Sequence, residues 1–303
     1  MVLLLSACER EQFAPEPEPV PTSNASLSHY LAEEGSSTLF ADALIRTGLD
    51  LDSLSGQRGL AFVPTNAAFA DSGFDPATLS LPDLTALISY HLTDRDMAYR
   101  KGAGDFVDVL STRNTTGPDR THLSVVLRRN NGTFSANGAR ARGIGDVREQ
   151  PAGQVIFLDR VLLPPTLHTI LTDLPDLSRF RALAGEISSV SDRIIGDFAT
   201  TLFSPVDTAV AVRQDFIDEL TAAEREQLLL THMLGENVVW SELLFHPGNT
   251  LSAGNVLDLR PTDYGIQIRY LLDPRGNGVR IIEGGIQTQN GVLYLVDRVL
   301  VPE

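Results

Sequence analysis

Two phrases recur in this chain in the same order, and few architectures accommodate that. Residues 59 to 92 are echoed by residues 200 to 234, which sets Phe62, Pro64 and His91 opposite Phe203, Pro205 and His232 at one constant offset of 141. Each copy then passes through a polar, glycine-dotted stretch to a second shared phrase, GQVIFLDRVLLPP ending at Pro165 and GVLYLVDRVLVPE ending at Glu303. Here Asp159, Arg160, Val161 and Leu162 match Asp297, Arg298, Val299 and Leu300 at an offset of 138. A solenoid would repeat every 20 to 50 residues. These intervals describe a duplicated domain of about 140 residues, and the function has to suit a tandem module.

With 303 residues and 43% hydrophobic content, both copies can bury a core without a metal or disulfide staple. A net charge of -15 works against nucleic acid as a partner, because phosphates call for clustered positive charge. The single cysteine excludes an intrachain disulfide and a thiolate metal cluster. Cys8 closes Leu5-Ser6-Ala7-Cys8, which resembles the bacterial lipobox where a signal peptide is cut and the cysteine lipidated. The preceding apolar run, Val2 to Leu5, is shorter than a signal-peptide core. An intact precursor therefore implies further residues upstream. The alternative is a chance cysteine in a tail. Residues 9–23 alternate acid and proline and read as an extended spacer, so residues 1–8 form a truncated leader, 24–166 the first domain and 167–303 the second. No stretch approaches the roughly 20 apolar residues of a membrane-crossing helix.

Local signals place helices early and strands late in each copy. Leu39, Phe40, Ala43 and Leu44 form a helical face stopped by Thr47-Gly48; Leu167, Ile170 and Leu171, then Phe180, Leu183 and Ile187, open the second copy. A short strand follows, Leu60 to Val63 or Thr201 to Phe203, ended by proline, with Asn66 or Asp207 placed to cap the next helix. Ser80 with Pro82 and Asp83, and Thr221 with Glu224, begin the helices that end near His91 and His232. Beyond them, Leu123, Val125 and Leu127 alternate before the hairpin signal Asn130-Asn131-Gly132, and Ile266, Ile268 and Tyr270 alternate before Asp273 to Gly278. The closing phrases, Val155 to Leu163 and Val292 to Val301, read as strands covered on both faces. This segregation predicts an α+β domain.

The motifs Phe62-Val63-Pro64-Thr65-Asn66-Ala67-Ala68-Phe69, Tyr90-His91 and Asp159-Arg160-Val161-Leu162-Leu163-Pro164-Pro165 resemble the two signature boxes and central tyrosine-histidine motif of fasciclin-like domains. The resemblance covers residues 24 to 303 in two copies. The second departs from it at Pro205-Val206-Asp207 and at Thr231-His232. It implies two tandem domains, each a β-sandwich or wedge flanked by helices, serving extracellular or cell-surface adhesion without catalysis. It also implies that Tyr90 and His91 contribute to a binding surface.

The residues themselves offer no catalytic constellation. The six histidines have no metal-ligand spacing, and no nucleophile elbow, dinucleotide fingerprint or phosphate loop occurs. Neither cofactor nor metal is expected. His91 and His232 can alternatively hydrogen-bond the last carbonyls of their helices. Asp159-Arg160 and Asp297-Arg298 read as strand terminators satisfying backbone, and Pro64-Thr65-Asn66 as a strand-to-helix corner. Arg113 to Arg160 holds eight arginines against four acids, including Arg128, Arg129, Arg140 and Arg142. On neighbouring strands these could bind an acidic polysaccharide through bidentate guanidinium contacts; the alternative is a solvated outer face. The expectation is a lipid-tethered adhesion or binding module of the bacterial cell envelope, facing periplasm or exterior, with a surface protein or acidic polysaccharide as partner. A structural envelope spacer and an enzyme with an unrecognised cleft are the rivals.

Overall fold

The computed structural model describes residues 26–49, 59–94, 106–142, 147–150, 153–239, 248–261 and 269–303. Cys8, the acidic spacer, Ile266 and Ile268 lie outside them. The fold is α+β in both halves. The first opens with helices α1 (Leu27–Glu34) and α2 (Thr38–Thr47), the latter closed by Gly48 in the left-handed region. Strand β1 (Gly59–Pro64) leads into α3 (Asn66–Ser72), and α4 (Leu81–Tyr90) starts on the Ser80 hydroxyl, which accepts the Asp83 N–H. Strands β2 (Leu92–Thr93), β3 (Phe106–Ser111), β4 (Ser124–Asn130), β5 (Thr133–Ala136), β6 (Ala139–Arg140), β7 (Val147–Gln150) and β8 (Gly153–Leu158) complete it.

Two sheets result, ordered β2-β1-β8-β7 and β3-β4-β5-β6. Alternation along β1 and β8 sends Ala61, Val63, Val155 and Phe157 to a core shared with the helices. It sends Leu60, Phe62, Ile156 and Leu158 to a second core shared with Leu123, Val125 and Leu127. The central sheet is thus covered by helices on one face and by the second sheet on the other, so the closing strand is buried on both sides. The Asn131-Gly132 turn joins β4 to β5 with φ of 49° and 77°, the primed hairpin geometry expected of that dipeptide.

The second half repeats the plan with helices α5 (Leu167–Asp173), α6 (Ser178–Gly185), α7 (Ser188–Ile195), strand β9 (Thr200–Pro205), and helices α8 (Asp207–Val212), α9 (Gln214–Glu219) and α10 (Ala222–Thr231). Thr221 and Glu224 form the expected capping box on α10. Strands β10 (Met233–Leu234), β11 (Asp258–Pro261), β12 (Arg269–Leu272), β13 (Gly278–Thr288) and β14 (Gly291–Val296) make one six-stranded sheet ordered β10-β9-β14-β13-β12-β11. Strand β13 is long and broken by two bulges. At the second, a side chain on Gly284 would run into the Tyr294 ring, and Gly285 has φ of 72°. The backbone can bend there because those positions are glycine.

The two closing strands hold the same place. Gly59↔Gly153 through Pro64↔Leu158 and Thr200↔Gly291 through Pro205↔Val296 are parallel ladders of identical register relative to the repeat. Two sequence expectations need correction. The closing strands stop at Leu158 and Val296, so the Asp-Arg pairs follow the strands, because Asp159 and Asp297 turn back to bond neighbouring backbone. Asn66 and Asp207 do not cap their own helices: Thr65 accepts the Ala68 N–H of α3, and α8 starts without a side-chain cap. Among the described residues no helix is long and apolar enough to cross a membrane.

Candidate functional site

The repeated histidines sit at the C-caps of α4 and α10, with 0% and 1% exposure. His91 Nδ1 lies 2.9 Å from the Leu87 carbonyl and its Nε2 accepts the Leu162 N–H at 3.0 Å. His232 does the same with Leu228 at 2.8 Å and Leu300 at 3.0 Å. Each ring is therefore neutral with the proton on Nδ1, the tautomer fixed by a carbonyl on one side and an amide on the other. Burial pushes both pKa values down to about 4, against the opposing pull of the helix carbonyl. Phe40 and Phe180 each place a ring centroid 5.5 Å from the imidazole. The histidine pins the end of a helix to the chain that leaves the closing strand.

Tyr90 is equally buried. Its hydroxyl donates to the Ser124 carbonyl at 2.7 Å and accepts from Asn137 Nδ2 at 2.7 Å, while desolvation raises its pKa far above the usual phenol range. Asn137 also accepts the Val126 N–H through its side chain and the Arg160 guanidinium through its carbonyl. A binding surface built from Tyr90 and His91 is therefore corrected: neither side chain has area to offer a partner. Their polar atoms are committed to backbone in the interior.

Ser124, whose carbonyl Tyr90 holds, lies at the seam between the halves. The Ser124 hydroxyl lies 3.4 Å from the Gly285 carbonyl and accepts the Gln287 N–H at 3.0 Å. Val126 belongs to the apolar cluster of the second half, with Val107 and Val109 packed against it. Arg128 meets Asp176 at 2.6 Å and Arg160 meets Asp173 at 3.5 Å. Asp173 is half-buried there, and desolvation raises its pKa despite Arg160.

The corner residues have the same kind of role. Asn66 accepts the Leu39 N–H at the start of α2, and Asp207 accepts the Arg179 N–H and the Ser178 hydroxyl at the start of α6. Each caps a helix that precedes it by almost thirty residues. Asp159 accepts the Arg140 N–H and Asp297 the Arg280 N–H, as strand terminators should.

The arginines divide. Cross-strand pairing aligns Arg128, Ser135 and Arg140. Arg129, one residue on, stacks over the Phe134 ring, while Arg142 lies over Phe157 and reaches Ser36 and Glu34. A groove of about 850 Å³ at the seam is bordered by Arg128, Arg129 and Arg140 together with Asp173. Arg142 is not part of it. A single face of four arginines is thus reduced to a row of two with a third at its edge.

Sequence reasoning missed Ser124, Asn137, Asp173 and Asp176. Asn137-Gly138 is a second hairpin dipeptide whose turn was legible, but its partners lie across the molecule. Among the described residues no three His, Cys, Asp or Glu side chains converge to hold a metal ion.

The Fasciclin domain family matches residues 27–164 and 175–302. The fasciclin-like arabinogalactan protein elcF of Phaeosphaeria nodorum is 23% identical over 297 residues, covering 94% of this chain and 91% of the relative. The FAS1 domain pair of the insect cell adhesion molecule Fasciclin I superposes with a TM-score of 0.52 at 15% identity, covering 89% of this chain and 98% of the other.

Proposed function

From the premise that this chain belongs to the fasciclin domain family, in two tandem copies, we propose that it is a non-catalytic adhesion or binding module of the bacterial cell envelope, tethered by lipid on Cys8. One observation carries the non-catalytic part. The two repeated histidines, His91 and His232, are buried with both ring nitrogens bonded to backbone, so neither can exchange a proton with a substrate. The relatives, a fasciclin-like arabinogalactan protein and a cell adhesion molecule, support the same reading. The tether rests on Leu5-Ser6-Ala7-Cys8 and the acidic proline spacer after it. The hydrogen-bonded seam favours a second reading, a stiff spacer within an envelope assembly.

Two measurements test this. Mass spectrometry of the protein from its native host should find diacylglycerol on Cys8 and membrane association that Cys8→Ser abolishes; an unmodified, freely soluble product refutes the tether. A screen of the full chain against surface proteins and glycans should return a saturable partner. A protein that enriches none, yet whose loss deforms the envelope, is the spacer.

A further inference from the structure

The second sheet of the first half carries a row Val107–Arg128–Ser135–Arg140, set by its cross-strand pairs. At one end Val107 packs on the apolar cluster of the second half. At the other Arg140 is exposed, and among the described residues its guanidinium has no hydrogen-bond or ion-pair partner. Between them Arg128 touches Asp176 through one nitrogen only, leaving its buried Nε without a hydrogen bond. The 850 Å³ groove follows this row and adds the Thr133 hydroxyl and the Asn131 amide. A neighbouring cleft of about 510 Å³ shares Arg140 and Gly138 with it. Where the two adjoin, a side chain on Gly138 would come within 3.1 Å of the Arg160 guanidinium and the Asp173 carbonyl.

Resting on the binding-module reading, we propose that this connected groove takes an acidic polysaccharide, with one carboxylate or sulfate on Arg140 and another beside Arg128. The two arginines stand two strands apart, roughly 9 to 10 Å, a spacing that charges along a polyuronide chain can match. Ser135 and Thr133 lie where sugar hydroxyls need donors and acceptors. Guanidinium suits both oxyanions through paired N–H groups. The overall charge of -15 does not forbid this, since salt screens charges beyond about 8 to 10 Å. An open groove shaped as two joined clefts fits an extended chain better than a compact ligand.

Calorimetry on the full chain with polygalacturonate, dextran sulfate and neutral dextran tests the proposal. Wild type should bind the two polyanions, more weakly as salt rises, and ignore dextran. Arg140→Glu should cut affinity at least tenfold and flatten the salt dependence with thermal unfolding unchanged, and Arg140→Gln should give an intermediate loss. Arg142→Glu, outside the groove, should bind like wild type. Equal binding by Arg140→Glu and wild type overturns the groove, and so does an equal loss in Arg142→Glu, which would mark diffuse attraction. A wild type that binds neither polyanion overturns the ligand class, while a protein partner in the surface screen would leave the module reading standing.

Discussion

The two copies share a histidine and differ in the residue before it. His91 and His232 make the same two bonds, from the end of a helix to the backbone two residues beyond the Asp-Arg pair. Tyr90 reaches outward to Ser124 and Asn137, whereas Thr231 folds back on its own helix at the Gln227 carbonyl. The second copy takes its buried phenol from elsewhere: Tyr294 on β14 bonds the Val238 carbonyl and stacks on Phe203. The difference tracks the sheets. In the first copy the outer four strands form a separate sheet that must be tied to the helical layer and also meets the second copy. In the second, β13 runs continuously into the outer strands, so the ladder itself does the tying. The histidine pin is common to both domains, whereas the tyrosine ties the separate outer sheet of the first copy to its helical layer.

Breaking the pin should have the largest effect. His91→Phe or His232→Phe keeps a ring but strands a buried carbonyl and a buried amide, at a cost of about 2 to 5 kcal/mol in either domain. Urea unfolding followed separately in each half should show near-equal losses; a much smaller loss at one histidine would end the equivalence of the copies.

Acid should come next. Folding lowers both imidazole pKa values from 6.5 to about 4, so below pH 6.5 the unfolded chain binds protons that the folded one refuses. The contribution is fully present above pH 6.5 and drains away as pH falls toward 4, by about 3 kcal/mol per histidine. The slope of stability against pH between 6.5 and 4 should fall by roughly half in either single phenylalanine variant.

Tyr90→Phe should cost about 1 to 3 kcal/mol, because Asn137 and the Ser124 carbonyl lose a buried partner, and it should speed amide exchange at Val126, whose N–H is held by Asn137. Thr231→Val should change stability by less than about 1 kcal/mol, since one local hydroxyl bond is lost. Equal effects would show that the seam does not depend on the tyrosine. Smallest are the distant caps: Asn66→Ala and Asp207→Ala should each remove about 1 kcal/mol, read as faster exchange in the first turns of α2 and α6.

Much of this is legible in the sequence. Ser80, the Thr221–Glu224 box, the Gly48 stop and the Asn131-Gly132 turn act on backbone within a few residues, so their spacing is their evidence. The equal placement of β8 and β14 was legible because a duplicated phrase has to fill a duplicated slot. The short apolar tails Val161 to Leu163 and Val299 to Val301 read as strand because burial without a ladder leaves the same composition.

Sequence alone therefore determined the placing of helices early and strands late, several local caps, the α+β class and the pairing of the copies, all written in periodicities and contacts of short range. Only the tertiary structure decided that His91 bonds an amide 71 residues away, that Asn66 caps a helix 27 residues earlier, and that Arg128 and Arg140 share a face while Arg129 and Arg142 do not. Strand register and the apposition of two domains set those outcomes. Both depend on partners that meet through space, for which a single chain of letters carries no spacing rule.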